Sequence, residues 1–419
     1  MTLAHAPAYA ATAPRAGLAR WEPAAASLCL AQFSEPFFAA LAQSQGATDP
    51  PGYARLFFIP VYAFLAWAIW RERGAALRAV AAAPLLVGLV ALALASTLWS
   101  IDGGATLRRV VWLALTMGFS LYLAWRYDWR GLLQVLAGAF LVLVAGSLLL
   151  GALAPSIGRM TFEHPGAWSG LWTHKNTLGG IMALGVPACA CAAFVASQRR
   201  WLWSATALGA FALVLLSTSK TALIASMLGL GVIALGALIR RGPLTAIVAA
   251  SGVAVAVIVG AGVVLLAPDL LVTMLGRDLT LTGRTDIWQA AAPAVAAQPW
   301  LGYGYYAFWL PDDGPAYWIR ETVQWEVASA HSGWLEMALG MGRIGVALFA
   351  LQLAATLWRG AGAVARVEAG LWAPAFLAAF ALYTLSESHV LQANNLFWTI
   401  YVAVAARLAL DARQRKAGA

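Results

Sequence analysis

A histidine stands where a long polar stretch runs into an apolar one. It is His331 in ASAHSGWLEMALGMGRIG (residues 328–345), with Glu336 five positions on. An exposed imidazole can exchange a proton near neutral pH, so His331 is a candidate general base. Glu336 lies just over one helical turn away, near enough to orient the ring or help close a site. Ser332 can cap the helix that follows. A lone histidine at a membrane interface also suits plain amphipathic packing, so its neighbours carry the decision.

Three other stretches hold cations in settings that suit an anion. In WTHKNTLGG (172–180), His174, Lys175 and Asn176 precede an apolar run. The free N–H groups and positive dipole end of the coming helix favour negative charge there. In LLSTSKTAL (215–223) only STSK separates two apolar runs, which holds Lys220 beside hydroxyls suited to phosphate oxygens. A polar cap and a snorkelling lysine are the plain alternatives for these two. In LTGRTDIWQAAAPAVAAQPW (281–300), Thr285 can cap a short helix with Asp286 in its first turn and Ile287, Trp288, Ala291 and Val295 as its apolar stripe. Arg284 then sits at a helix N-terminus with a guanidinium that can grip a phosphate bidentately, unless it simply pairs with Asp286. Arg159 is a further cation in this set.

Aromatics crowd the same region. Trp300, Tyr303, Tyr305, Tyr306, Phe308, Trp309, Tyr317, Trp318 and Trp325 can stack on sugar rings or form an interfacial belt. Asp312–Asp313 is the single acidic pair that could hold a divalent metal, and no second acidic motif joins it. We therefore expect no metal and no cofactor. There is no phosphate-binding Walker loop, dinucleotide glycine fingerprint, HExxH or GxSxG.

These residues are positioned by membrane helices. The chain has 419 residues, 62% hydrophobic and 11% charged, which excludes a water-soluble domain of this size. We expect an all-α polytopic membrane protein of about 12 transmembrane helices, at 24–44, 54–70, 79–99, 110–125, 131–154, 177–197, 201–216, 221–239, 245–267, 335–357, 370–386 and 395–410. A cytoplasmic tail at 1–23 and another at 411–419 flank helices 1–9 (24–267) and helices 10–12 (335–410). Between helices 9 and 10 runs a long, partly helical periplasmic loop, 268–334. No cleaved leader is evident. Orientation follows from lysine and arginine: seventeen fall on the side of both termini and nine on the other, with Arg343 inside a span. His164, His174, His331 and His389 then all lie on the outer, periplasmic side, with the cations that oppose the charge rule. The net charge of +9 is explained by membrane anchoring, and nucleic-acid binding is not expected.

Cations for a diphosphate, aromatics for sugars, a base and no nucleotide fold point to glycosyl transfer from a lipid-diphosphate sugar. The glycosyl–phosphate bond drives that reaction without ATP. The stretches THKNTLGG, STSKTAL, GRTDIWQ, LGYGYYAFW and HSGWLEMALGMGRIG, in that order, resemble the bacterial O-antigen ligase and O-antigen/exopolysaccharide polymerase superfamily, over roughly residues 54–410. The resemblance implies an inverting, metal-independent enzyme of the bacterial inner membrane with a periplasmic active site. It would use an undecaprenyl-diphosphate-linked glycan donor among membrane lipids. The family's loop histidine falls on His331 and its loop arginine on Arg284. Its second basic residue, usually arginine, falls on Lys220, which puts bidentate phosphate binding there in doubt. The expected site is thus His331 and Arg284, with Lys220, Lys175 and Arg159 on the diphosphate and Glu336, Asn176, His174 and Tyr303 in support. The acceptor is expected to be lipid A–core, as in a ligase; the alternative is a second lipid-linked glycan, as in a polymerase. A flippase or transporter is the reading from a different class. It would call for repeat symmetry and mid-membrane ionisable residues.

Overall fold

The computed structural model describes residues 19–38, 52–196, 198–248, 251–252, 283–310, 314–324, 326–363 and 368–417. Most of the expected span 245–267, together with Asp312, Asp313 and Trp325, lies outside them. Within them the chain is helical with no strand, only an isolated bridge between Arg159 and Trp168.

Helices α1 (Glu22–Gln32), α2 (Ile59–Arg71), α3 (Arg73–Ala82), α4 (Pro84–Ala95), α5 (Gly103–Arg126) and α6 (Trp129–Leu153) form the first half. Then follow α7 (Lys175–Val195), α8 (Arg200–Leu216), α9 (Lys220–Ile239), α10 (Arg284–Ala297), α11 (Tyr317–Val323), α12 (Gly333–Ala363), α13 (Trp372–Ser386) and α14 (Leu396–Ala417). Among the described residues, six helices are long and apolar enough to cross a membrane, or seven if α3 and the helix running on from Pro84 to Leu98 count as one bent span. The shorter apolar helices α8 and α13, and α14, buried from Leu396 to Ala409, fall on three further expected spans. The all-α polytopic membrane class stands.

Three boundaries differ from expectation for identifiable reasons. Within the first expected span, 24–44, α1 ends at Gln32. Pro36 disfavours helical backbone at Glu35, whose φ is +51°. The chain before the third span is itself a helix, α3, which meets α4 at 86°. Pro84 breaks the helix there, because it lacks the N–H and forces Ala83 out of the helical region (φ −120°, ψ 54°). The expected tail from 411 instead continues α14 to Ala417. Asp411 pairs with Arg407 one turn back and accepts the Trp129 indole N–H at 2.8 Å.

At the centre, α7 packs against α6, α8, α9 and α13. Beside this bundle α10, α11 and the loop between them form a small second core of Ile287, Ala291, Phe308, Ala316, Ile319 and Ala330, closed by Leu339 of α12. That core joins the bundle through a break in α12. Gly342 leaves the helix with φ +60°, and any side chain there would strike the Trp300 backbone at 2.2 Å. Loop residues 299–304 fill the gap. Tyr303 and Gly304 donate N–H groups to the Leu339 and Gly340 carbonyls, and the Pro299 carbonyl accepts from Arg343 N–H at 2.9 Å. The broken helix thus satisfies its polar groups with the loop's backbone. The glycine-rich QPWLGYGYY and LGMGRIG stretches are two halves of one joint.

Candidate functional site

Helix α10 begins at Arg284 itself, with Gly283 (φ +80°) as its N-cap. Thr285 is therefore not the cap expected from its hydroxyl. Ile287 and Ala291 bury the helix into the second core, which fixes where Arg284 emerges. Its guanidinium does not pair with Asp286, which is exposed. It donates to Glu387 Oε1 at 2.6 Å, across 103 residues of chain.

His331 meets the same carboxylate. Its Nδ1 stands 3.6 Å from Glu387 Oε2, a close polar contact longer than a full hydrogen bond. The residue occupies a corner between the extended stretch 326–330 and α12, with φ +48° in the sparsely used left-handed region. Several anchors hold the corner. Trp288 Nε1 donates to the Ala330 carbonyl at 2.9 Å, and Ser332 caps α12 by accepting the Leu335 N–H at 3.4 Å. The Arg284, Glu387 and His331 side chains are 17%, 25% and 33% exposed, so one carboxylate bridges two bases in a corner still open to solvent.

Glu336 does not reach the imidazole. It is buried, and its carboxylate accepts from Ala330 N–H at 2.6 Å, Trp309 Nε1 at 3.1 Å and Ser388 Oγ at 3.2 Å. It ties together the stretch ahead of His331, the aromatic loop and the connection after α13. Sequence reasoning offered Glu336 as a residue to orient the ring; the neighbour that faces the ring is Glu387. That residue was missed because the partnership spans 56 positions and no local motif marks it. The available signal was a carboxylate beside His389 in an expected outer connection of an acid-poor chain.

Burial alone would push the Glu387 carboxyl upward. The contact with His331 and the charges of Arg284 and His389 outweigh it and hold the group below the usual carboxylate range. His389 is shifted down because burial disfavours its cation; its ring stacks on Phe397 at 4.0 Å.

The other expected cations sit at the same end of the bundle. His174 caps α7, its Nδ1 accepting from Asn176 N–H at 3.2 Å. Burial lowers the His174 pKa despite Glu163 at 3.5 Å. Lys175 is buried at the first turn of α7 and donates to Thr218 Oγ1 at 3.3 Å, in the turn that leads to Lys220. Lys220 opens α9 and is exposed; Asn176 is exposed too. A methyl on Gly179 would lie 2.7 Å from Ser217 Oγ, and one on Gly180 would lie 3.6 Å from the Tyr383 hydroxyl. The Tyr383 ring in turn is 6.2 Å from that of His389. The starts of α7 and α9 and the end of α13, with Glu387, therefore converge.

Two expected residues are engaged elsewhere. Arg159 donates to the Gly151 carbonyl at 2.9 Å and lies 4.9 Å over the Trp168 ring, bracing the hairpin before α7. Tyr303 donates its hydroxyl to the Ala294 carbonyl at 3.0 Å within the second core. The aromatics also divide. Tyr305 and Tyr306 donate to backbone carbonyls of the 388–391 connection, and Phe308 and Trp309 are buried. Trp300, Tyr317 and Trp318 are exposed. The first group is packing that holds the corner, so among the described residues it is the second that can meet a sugar from solvent.

Residues 205–350 match the family described as Wzy_C, O-Antigen ligase. The chain is also 32% identical over 232 residues to the exopolysaccharide production protein ExoQ of Rhizobium meliloti (strain 1021), covering 52% of this chain and 51% of the relative. It thus spans about half the length of that curated relative. The segment that carries Lys220, Arg284 and His331 is thus similar to the O-antigen ligase family, and the helices place it in a multi-pass membrane protein.

Proposed function

We propose that the protein transfers a glycan from an undecaprenyl-diphosphate-linked donor to a sugar hydroxyl, with inversion, at the periplasmic face of the bacterial inner membrane. The observation that carries this reading is the shared carboxylate: Glu387 holds Arg284 and His331 in one half-open corner. With Nδ1 turned to Glu387, His331 presents Nε2, on the opposite edge of the ring, to an acceptor hydroxyl. As the hydroxyl oxygen attacks the anomeric carbon, its proton passes to Nε2. The bond from that carbon to the diphosphate oxygen breaks, and the electron pair leaves with the diphosphate. Arg284 spends one N–H on Glu387, and a guanidinium has five, so donors remain for the departing charge. Lys175 and Lys220 supply further positive charge from the converging helix starts. Attack and departure on opposite sides of one carbon invert its configuration.

Two acceptors fit this chemistry. Lipid A–core matches the ligase description of the family. A second lipid-linked glycan matches the exopolysaccharide wording carried by the relative. Purified protein in liposomes, supplied with the lipid-diphosphate glycan and each acceptor separately, distinguishes them. The expected outcome is glycan transfer with an inverted linkage and release of undecaprenyl diphosphate. Retained configuration, or movement of the donor across the bilayer with no new linkage, would overturn the reading.

A further inference from the structure

A second cavity lies away from this corner, at the end the charge asymmetry assigns to the cytoplasm. It is a groove of about 870 Å³ between α1, α6 and the junction of α7 with α8. Arg20, Arg130 and Arg199 line it, brought there by three separate connections: before α1, at the start of α6 and at the N-cap of α8. Among the described residues, no aspartate or glutamate lines it. The nearest acids in sequence are engaged, Glu22 with Arg126 and Asp128 as the cap of α6. Below the arginines the walls are apolar, with Leu28, Leu141 and Leu202 among them. Eleven helical residues separate Arg130 from Leu141, a depth of about 16 Å at 1.5 Å per residue. That is about half of a roughly 30 Å hydrocarbon core, the reach of one leaflet.

We propose that this groove binds an anionic phospholipid of the membrane, its phosphate between the three arginines and an acyl chain along the wall below. The charge fits a lipid phosphate, the depth fits a single leaflet, and the size falls among small-molecule sites. The chain's own N-terminal segment is a poor occupant, because residues 1–18 hold no carboxylate and add another arginine.

The test uses the full chain in nanodiscs of phosphatidylcholine doped with phosphatidylglycerol, with retained lipid counted by native mass spectrometry. Phosphatidylglycerol should be retained at least tenfold over its share. Each of Arg20→Gln, Arg130→Gln and Arg199→Gln should weaken retention about fivefold, and the triple variant should abolish the preference. Leu141→Trp, which fills the wall and leaves the charges intact, should also reduce retention. Glycerol phosphate, which has no chains, should not compete; if it displaces the lipid, the site is a phosphate site and the proposal fails. Equal retention of the two lipids, or a triple variant that keeps the preference while staying monodisperse, would equally end it. Deletion of residues 1–18 should change nothing. A preference seen only after that deletion would make the tail the natural occupant and overturn the proposal.

Discussion

The two ends of the helix bundle each hold arginines beside glutamates, and the two arrangements differ in kind. At one end Arg126 donates to Glu22 at 2.5 and 2.9 Å and to Glu72 at 2.8 Å, and the Tyr122 hydroxyl donates to Glu22 at 3.0 Å. The Arg126 and Glu22 side chains are 4% and 2% exposed. At the other end Glu387 serves two bases in the open corner. A buried ion pair such as Arg126 with Glu22 holds helices together. An open one, with a single carboxylate between a guanidinium and an imidazole, has capacity left for a substrate. Charged residues in a membrane protein mark function only when they are read with their exposure.

The largest expected effect separates the two ends by kinetics. His331→Gln keeps polarity but cannot take up a proton from the acceptor as imidazole does. A positioned base contributes about 10²–10⁴-fold, so transfer should fall by that range at unchanged thermal stability. Transfer near the wild-type rate would leave His331 as a binding group only. Next, stability separates them. Arg126→Ala strands Glu22 in the interior and should cost about 3–5 kcal/mol, read as a loss of folded protein on heating in detergent. Arg284→Ala, at the open end, should leave melting nearly unchanged while lowering turnover by roughly ten- to a hundredfold, the worth of one hydrogen bond to a charged group. Arg284→Lys should rescue partly. If the two variants exchange phenotypes, the comparison is wrong.

Much of this contrast could be read in the chain alone, and the reasons it stopped are physical. Helix edges came within a few residues wherever a long apolar run ends at a charge, as at Lys175, Lys220 and Arg126. The stretches around Arg284 and His331 were visible because helix starts and loop corners have local signatures. Glu387 was not visible: a pairing across a hundred residues leaves no trace in spacing. Nor was the joint at Gly342, where apolar periodicity runs straight through and the break exists only because loop residues 299–304 supply its hydrogen bonds. Arg159 and Tyr303 show the converse. Their residue types suited a ligand, and the fold engages them in a hairpin and a core.

A smaller effect sharpens the role of the shared carboxylate. Glu387→Gln removes the anion while keeping a hydrogen-bond acceptor and adding a donor. Arg284 and His331 then lose the charge that holds both, and turnover should fall by about tenfold, less than for His331→Gln. Because the Glu387 carboxyl is held below the ordinary carboxylate range, it should stay ionised through mild acid. A rate in Glu387→Gln equal to wild type would show that the corner is held by packing alone.

The smallest expected effect concerns acid. His389 is buried and its pKa lies below the ordinary imidazole value, so the folded state resists a proton that the unfolded chain accepts. Stability from a neutral buried imidazole is complete above about pH 6.5 and declines as the pH falls below it, by at most about 1.4 kcal/mol per pH unit. Glu387 is shifted downward as a carboxylate, so its contribution is lost only at lower pH, and the difference between wild type and a His389 variant over pH 7.5 to 5 reads the histidine. His174 shifts in the same direction but is 39% exposed and has Glu163 beside it, so its share should be smaller. His389→Phe keeps a ring stacked on Phe397 and gives up the 3.3 Å contact with Asn395. Its melting temperature should therefore vary less than that of wild type between pH 7.5 and 5, even if it is lower at pH 7.5. Fusing each variant to the same detergent-solubilised assay with His174→Gln separates the two histidines. The sealed Arg126 cluster contains no histidine, so Arg126→Ala should lower the melting curve without changing its slope in this window. A steep acid slope that survives in the His389→Phe, His174→Gln double variant would place the titrating group elsewhere and remove the imidazole from the account.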